Sequence, residues 1–263
     1  MATITLTTDF GTLYPASMKA VILDICEEAT IVDISHTIPQ GDILSGAFAL
    51  YNTAHLFPKR TVHVAVVDPG VGTLRKALIL EAGGHYFVGP DNGLMIPAAH
   101  RCGKMKVWII QVDKLFPEIS PTFHGRDVFA PVGAYLASGK KPEELAKPSD
   151  CYVCLHIEEA RVKVESMRGK VNYVDDFGNI VTSIPARLLH NIVESGDILE
   201  LEGNEIRFVE TYANATPEET VALVGSHGFL EIAVSMGNAA ERLSISGHPE
   251  ICLRKVTSTR NDE

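Results

Sequence analysis

The sequence predicts an α/β protein: a larger N-terminal layered domain with a mainly parallel sheet, then a smaller all-β domain of barrel or sandwich type. Three observations carry that prediction. Strand-like and helix-like segments alternate through the first half, as βαβ units do. Lys140–Ser149, KKPEELAKPS, is a charged stretch with two prolines at which the alternation stops. Beyond it, short alternating apolar runs are separated by turn residues, the pattern of a small all-β domain. The boundary falls at residue 155, giving domains 1–155 and 156–263.

Ile4–Thr8 reads as the first strand. In Pro15–Glu28, Met18, Val21, Ile22 and Ile25 recur at helical spacing, and Pro15 suits a first helical turn. Thr30–Ser35 is a second strand, Asp42–Leu56 a second apolar helix and Thr61–Val67 a third strand. Lys76–Glu81 and His85–Val88 flank Gly83-Gly84, a hairpin signal. Lys106–Val112 follows as a strand and Asp127–Ala137 as a helix with Pro131 near its first turns. In the second half the strands are Ala160–Val164, Gly169–Asp175, Ile180–Ser183, Ile198–Leu201, Glu205–Val209, Thr220–Val224, Leu230–Val234 and Glu250–Arg254. Only Pro185–Val193 reads as helical there.

Composition narrows the function classes. The 263 residues are 46% hydrophobic, enough for a folded chain with a substantial core. Net charge is −10 and no Lys/Arg-rich run stands out, so a nucleic-acid backbone is not an expected partner. No apolar stretch reaches the roughly 20 residues that span a bilayer. The N-terminal residues lack the basic and apolar regions of a signal peptide. Five cysteines, an odd number, fit a reducing compartment, and a cytoplasmic location is expected. Cys151 and Cys154 form a lone C-x-x-C with His156 beyond them, in a stretch that looks strand-like. No second ligand pair accompanies them, so neither a metal nor a redox centre is expected.

The stretch richest in chemistry is Val64–Arg75, VAVVDPGVGTLR. A buried-type apolar run ends in Asp68, a Pro-Gly-Val-Gly turn follows, and Arg75 stands seven residues on. Ligands of parallel sheets sit outside the carboxyl ends of the strands, so the segment aims a carboxylate and a guanidinium at a crevice. An ordinary turn with a solvated arginine would look the same. Asp9, after the first strand, is either a ribose-type acceptor or the anchor of an Asx-turn or helix cap. In Phe123–Phe129, FHGRDVF, His124 is either a general base or water-orienting group, or a capping or core histidine. Asp91 and Asn92 suit a helix cap. In the second domain, Asp175, Phe177 and Asn179 could meet a purine, or form a hairpin turn. His36, His55, His63 and His100 show no pairing and read as surface or core residues.

TTDFG, VVDPGVGTLR, FVGPDNGLM, FHGRDVFAPV, DDFGN and GSHGFLEIAVSMGNAA occur in that order across both domains. Together they resemble the S-adenosylmethionine (SAM) hydroxide adenosyltransferases, adenosine-forming SAM hydrolases related to the SAM-dependent fluorinase and chlorinase. The resemblance spans about residues 3–255. It implies an α/β domain followed by a small β-barrel, and homotrimers that hold SAM between the first domain of one subunit and the second domain of its neighbour. It implies a water-handling set of Asp68, Arg75 and His124, with Asp9 on the ribose hydroxyls. Asp175 and Ser226 would face the methionine amine and carboxylate, with Glu231 sharing amine recognition. Phe177 and Asn179 would contact adenine, and backbone groups of Val234 and Met236 would read its edge. His227 stands where the halogenases carry Arg, and Val181 where the fluorinase has an aromatic residue. The implied reaction is hydrolysis of SAM to adenosine and L-methionine by water attacking C5′, without metal or other cofactor. The alternatives are a SAM-dependent halide adenosyltransferase and a non-catalytic SAM sensor.

Overall fold

The computed structural model describes residues 2–190 and 192–256. The chain divides after His156 into two units.

The first unit runs β1 (Thr3–Thr8), α1 (Tyr14–Ile25), β2 (Thr30–Ser35), α2 (Ile43–Thr53), β3 (Val62–Val66), β4 (Ala77–Ala82), β5 (His85–Pro90), α3 (Ile96–Cys102) and β6 (Met105–Ile110). Then follow α4 (Val112–Leu115), α5 (Ala130–Ala137), α6 (Pro142–Leu145) and β7 (Ala146–Pro148). The sheet order is β2-β1-β3-β5-β4-β6-β7. Strands β2, β1, β3 and β5 run parallel, and the pairs β5–β4, β4–β6 and β6–β7 are antiparallel. Strand β6 therefore shares the direction of the first four, and only β4 and β7 oppose it. The antiparallel members come from the Gly83-Gly84 hairpin, whose two residues both have positive φ, and from the three-residue edge strand β7.

Alternation along the strands sends side chains to two cores. Ile4, Leu6, Val62, Val64 and Val66 face one side, packed with Met18 and Ile22 of α1 and Val132 and Leu136 of α5. Ala65, Leu78, Leu80 and Phe87 face the other, against Ala47 and Leu50 of α2 and Ala98 and Ala99 of α3. Burying a side chain such as Phe87 contributes roughly 1.5–3 kcal/mol. The second face also contains polar groups, Thr5 on β1 and His63 on β3, which lie opposite one another in register. Thr5 Oγ1 is 2.7 Å from His63 Nδ1, and His63 Nε2 is 3.1 Å from His85 Nδ1. Burial, with His85 alongside, pushes the His63 pKa down to about 3. His63 is thus paired, and so is His36, whose Nδ1 lies 2.8 Å from Thr8 Oγ1, contrary to the reading of both as lone histidines.

The second unit contains β8 (Arg161–Lys163), β9 (Ser166–Val174), β10 (Ile180–Pro185), β11 (Ile198–Leu201), β12 (Asn204–Phe208), β13 (Thr220–Val224), β14 (Phe229–Val234), the short α7 (Ala239–Arg242) and β15 (Glu250–Lys255). The order β10-β14-β13-β12-β11-β15-β9 closes through β9–β10 pairing into a seven-stranded barrel, with β8 appended to β9. Its interior holds Met167, Val171, Ile180, Leu199, Ile206, Ala222, Leu230, Ile232 and Leu253. The helix expected at Pro185–Val193 is only a 3-10 turn, Ala186–Leu188: the apolar residues there, Leu189 and Val193, cap the barrel core rather than line a helix face. Residues 151–156 are not a strand.

Candidate functional site

The order β2-β1-β3 places a reversal of chain direction across the sheet between β1 and β3, whose carboxyl ends flank a crevice. Asp9 directly follows β1, and Asp68 lies two residues beyond β3. Two successive turns then reverse the chain, with Val71 N donating to Asp68 O and Thr73 N to Gly70 O, both at 3.2 Å. Gly72 has φ +77°, and a Cβ there would sit 2.7 Å from the Pro121 carbonyl oxygen, so only glycine fits. This return path brings Arg75 back over Asp68.

Arg75 grips Asp68 with a fork. Nε donates to Oδ1 at 2.9 Å and to Oδ2 at 3.0 Å, and Nη2 donates to Oδ2 at 2.5 Å. Such bidentate, charge-assisted pairing fixes both side chains. Nη2 also lies 2.8 Å from His124 Nδ1. A guanidinium only donates, so Nδ1 is the acceptor and the ring proton sits on Nε2. Burial and the Arg75 charge lower the His124 pKa, against smaller upward pulls from Asp68 and Asp127. His124 is therefore neutral at neutral pH.

His124 precedes a wide turn, Gly125–Phe129, in which Ala130 N donates to Gly125 O, one residue further than in an α-helix. Turns of this π type recur at functional sites. Helix α5 continues from it, so the helix expected from Asp127 begins with a different geometry. Arg126 and Asp127 pair with each other, and Ser120 N donates to Asp127 at 2.8 Å. Against the upward push of burial, these hydrogen bonds hold the Asp127 carboxyl low.

Asp9 forms neither an Asx-turn nor a cap. Its Oδ2 accepts from Gly41 N at 2.8 Å, and a Cβ on Gly41 would lie 3.7 Å from Pro69 Cβ, beside the Asp68 turn. Phe10 meets Phe123 edge-on at 5.6 Å, joining the Asp9 and His124 loops. Asp9, Asp68, Arg75 and His124 thus belong to one neighbourhood. Arg75 and His124 also line a cleft of about 840 Å³ together with Lys76, Lys114 and Lys147. Asn92 bridges this end of the sheet by donating to Val67 O at 2.8 Å, while Asp91 accepts from Val153 N at 2.7 Å.

In the barrel unit, Asp175 Oδ1 accepts from Phe177 N at 2.9 Å and Asn179 N at 2.8 Å, and its Oδ2 accepts from Asn179 Nδ2 at 3.0 Å. The hairpin-turn reading is correct for this loop, and it leaves Phe177 78% exposed. Gly178 has φ +82° and lies against the Asn238 side chain, where a Cβ would approach to 2.1 Å. That contact ties the loop of Phe177 and Asn179 to the segment that carries Met236, which is 91% exposed. Val234 points into the barrel core, and its carbonyl accepts from Gly237 N at 3.1 Å. Ser226 is exposed in the turn after β13.

Glu231 is buried, paired in register with Val181 and Leu223. His227 Nδ1 accepts from Phe229 N at 3.1 Å, so its Nε2–H points to Glu231 Oε2, 3.0 Å away. Tyr212 Oη donates to Glu231 Oε1. Burial and that carboxylate raise the Tyr212 pKa, and Asp175 adds to the rise. Nothing in the local sequence marks Tyr212, which lies between β12 and β13 far from the SHGFLE motif. Among the described residues, no group of three or more His, Cys, Asp and Glu could hold a metal ion.

Residues 4–146 match the model of the SAM hydroxide adenosyltransferase N-terminal domain, and residues 169–252 that of the corresponding C-terminal domain. The chain belongs to the SAM hydroxide adenosyltransferase family. Relatives in this family include the (R)-S-adenosyl-L-methionine hydrolase of Salinispora tropica, 36% identical with 92% of this chain and 94% of that protein covered. The enzyme of that name from Methanocaldococcus jannaschii is 37% identical with 94% of each covered. A crystal structure of an uncharacterized conserved protein from Thermotoga maritima superposes with a TM-score of 0.86 at 34% identity, covering 96% of this chain and 99% of that one. The fluorinase of Nocardia brasiliensis is more distant from this adenosyltransferase, at 26% identity with 86% and 87% covered.

Proposed function

We infer that this chain hydrolyses SAM to adenosine and L-methionine. Family membership and hydrolase relatives at 36–37% identity, against 26% for a fluorinase, support that reading. The observation that carries the mechanism is the Asp68–Arg75–His124 bridge. In SAM the sulfonium is already an excellent leaving group, so the weak partner is water. Water must be held in line with C5′ and relieved of a proton. In the tautomer fixed by Arg75, His124 offers Nε2–H as a donor and cannot take a proton there. Asp68 Oδ1 keeps a lone pair and is assigned as the acceptor. The water oxygen bonds to C5′, the C5′–S bond breaks with its electron pair staying on sulfur, and the proton passes to Asp68. Arg75 stabilises the hydroxide character that the water acquires as its proton leaves. Asp68 then releases the proton to solvent, so the reaction balances as SAM and water giving adenosine, methionine and a proton, and takes no cofactor.

The remaining roles follow the family pattern. Asp9 takes the ribose hydroxyls, Phe177, Asn179, Val234 and Met236 take adenine, and Asp175, Ser226 and Glu231 take the methionine end. A homotrimer in which each site combines two subunits is the assembly proposed, in the cytoplasm. The relatives are named for the (R) sulfonium epimer, and that epimer is the expected substrate.

Incubation with SAM in ¹⁸O-labelled water tests the reaction. Label in the adenosine 5′-hydroxyl is expected. A 5′-chloronucleoside formed in the presence of chloride, or no methionine release above a boiled control, would overturn it.

A further inference from the structure

The turn that carries Asp9 is held from behind by a single histidine. His36 follows β2 as Asp9 follows β1, and it reaches that turn twice. Its carbonyl accepts from Gly11 N at 2.9 Å, and its Nδ1 lies 2.8 Å from Thr8 Oγ1. Thr8 Oγ1 in turn accepts from Phe10 N at 3.3 Å. The residues on either side of Asp9 are therefore tied to one residue, His36, by its ring at Thr8 and by its carbonyl at Gly11.

The donors in this chain have one consistent direction. Asp33 Oδ1 lies 3.1 Å from His36 Nε2, and Lys19 Nζ bonds Asp33 Oδ2 at 2.5 Å. Against the upward push of burial, these partners hold the Asp33 carboxyl low, so it presents a negative charge to the ring. Nε2 makes no aligned hydrogen bond, but the Asp33 charge 3.1 Å away favours the tautomer protonated there, in which Nδ1 accepts from the Thr8 hydroxyl. That hydroxyl can then receive the Phe10 N–H. The order Lys19, Asp33, His36, Thr8, Phe10 resembles a nucleophile–histidine–carboxylate triad in its spacing, but Thr8 is fully buried and unreachable by a substrate. What the network can do is fix a turn. Gly41 N, bonded to Asp9 Oδ2 at 2.8 Å, holds the carboxylate itself.

We propose that His36 is a positioning residue for ribose recognition: through Thr8 and Gly11 it sets the turn from which Asp9 meets the sugar hydroxyls. The proposal rests on the reading of Asp9 as the ribose acceptor.

The test compares kcat/KM for SAM and for its 2′,3′-dideoxy analogue in wild-type enzyme, Asp9→Asn, His36→Ala, His36→Asn and Thr8→Val. Wild type is expected to favour SAM, and Asp9→Asn to lose that preference. His36→Ala is expected to lower the preference about tenfold, through activity on SAM with little change on the analogue. His36→Asn keeps an acceptor near the Nδ1 position and should retain most of it. Thr8→Val removes the hydroxyl with little change of shape and should behave like His36→Ala, which covers the case in which the alanine variant does not fold. An undiminished preference in His36→Ala or Thr8→Val would overturn the proposal. Absence of any preference in wild type, or its survival in Asp9→Asn, would instead remove the underlying ribose reading and the proposal with it.

Discussion

The site loops of the two units use their polar groups in different ways. In the α/β unit the charged groups of the site are bonded to each other: Asp68 is 4% exposed and Arg75 11%, and His124 is joined to the same guanidinium. At the barrel loops the polar groups hold the loop in shape, and large apolar side chains, Phe177 and Met236, face outward. The first arrangement suits a group whose position must not change while charge develops, because reorganisation is what a preorganised site avoids. The second suits recognition of a flat apolar body by contact area, with the polar atoms spent on loop geometry. The difference teaches that rate and affinity should be separable by mutation.

The largest effect should come from breaking the first arrangement. Arg75→Ala or His124→Ala is expected to lower kcat by about 10²–10³ while SAM still binds, read by turnover and by equilibrium binding side by side. Arg75→Lys keeps the charge but not the fork, and should recover little of the loss. Near-normal turnover in these variants would erase the distinction between the units. A smaller effect is expected at the barrel. Phe177→Ala should raise KM for SAM by about tenfold with kcat nearly unchanged, in line with the loss of one base-stacking ring. A fall in kcat instead would mean that the barrel loop takes part in the chemistry.

The last effect concerns stability alone. His63 has a folded pKa of about 3 against an ordinary value of 6.5. The unfolded chain thus binds the proton more readily, so the contribution of neutral His63 is present above pH 6.5 and is lost as pH falls from there toward 3. Denaturant midpoints measured from pH 7.5 to 4 should show this slope, and His63→Asn should flatten it. An unchanged slope would assign the acid sensitivity to other groups.

These contrasts also explain which features were legible in the chain. Apolar runs long enough to show a period, such as Val62–Val66 and Phe229–Val234, mark their strands directly. The Asp68–Arg75 pair is local, seven residues apart across a turn of glycine and proline, and so can be read from spacing. His124 is 49 residues from its partner, and only its dense surroundings of charge draw attention to it. His36 and Tyr212 leave no local trace, because their partners lie 28 and 19 residues away and a hydrogen bond across strands has no sequence period. The edge strand β7 is too short for alternation to register, and the Pro185–Val193 segment places apolar residues to plug the barrel, which imitates helical spacing.

The wide turn at Gly125–Phe129 makes the site depend on a count of residues as well as on their identity. An α-helix advances about 100° per residue. Ala130 N bonds back to Gly125 O across one residue more than an α-turn contains, so everything upstream is rotated by that increment relative to α5. Deleting one residue from this turn would leave every side chain of the site encoded and would swing the His124 ring away from Arg75. Hydrolysis therefore depends on the number of residues in this turn, and a one-residue deletion there is expected to abolish turnover while α5 stays intact.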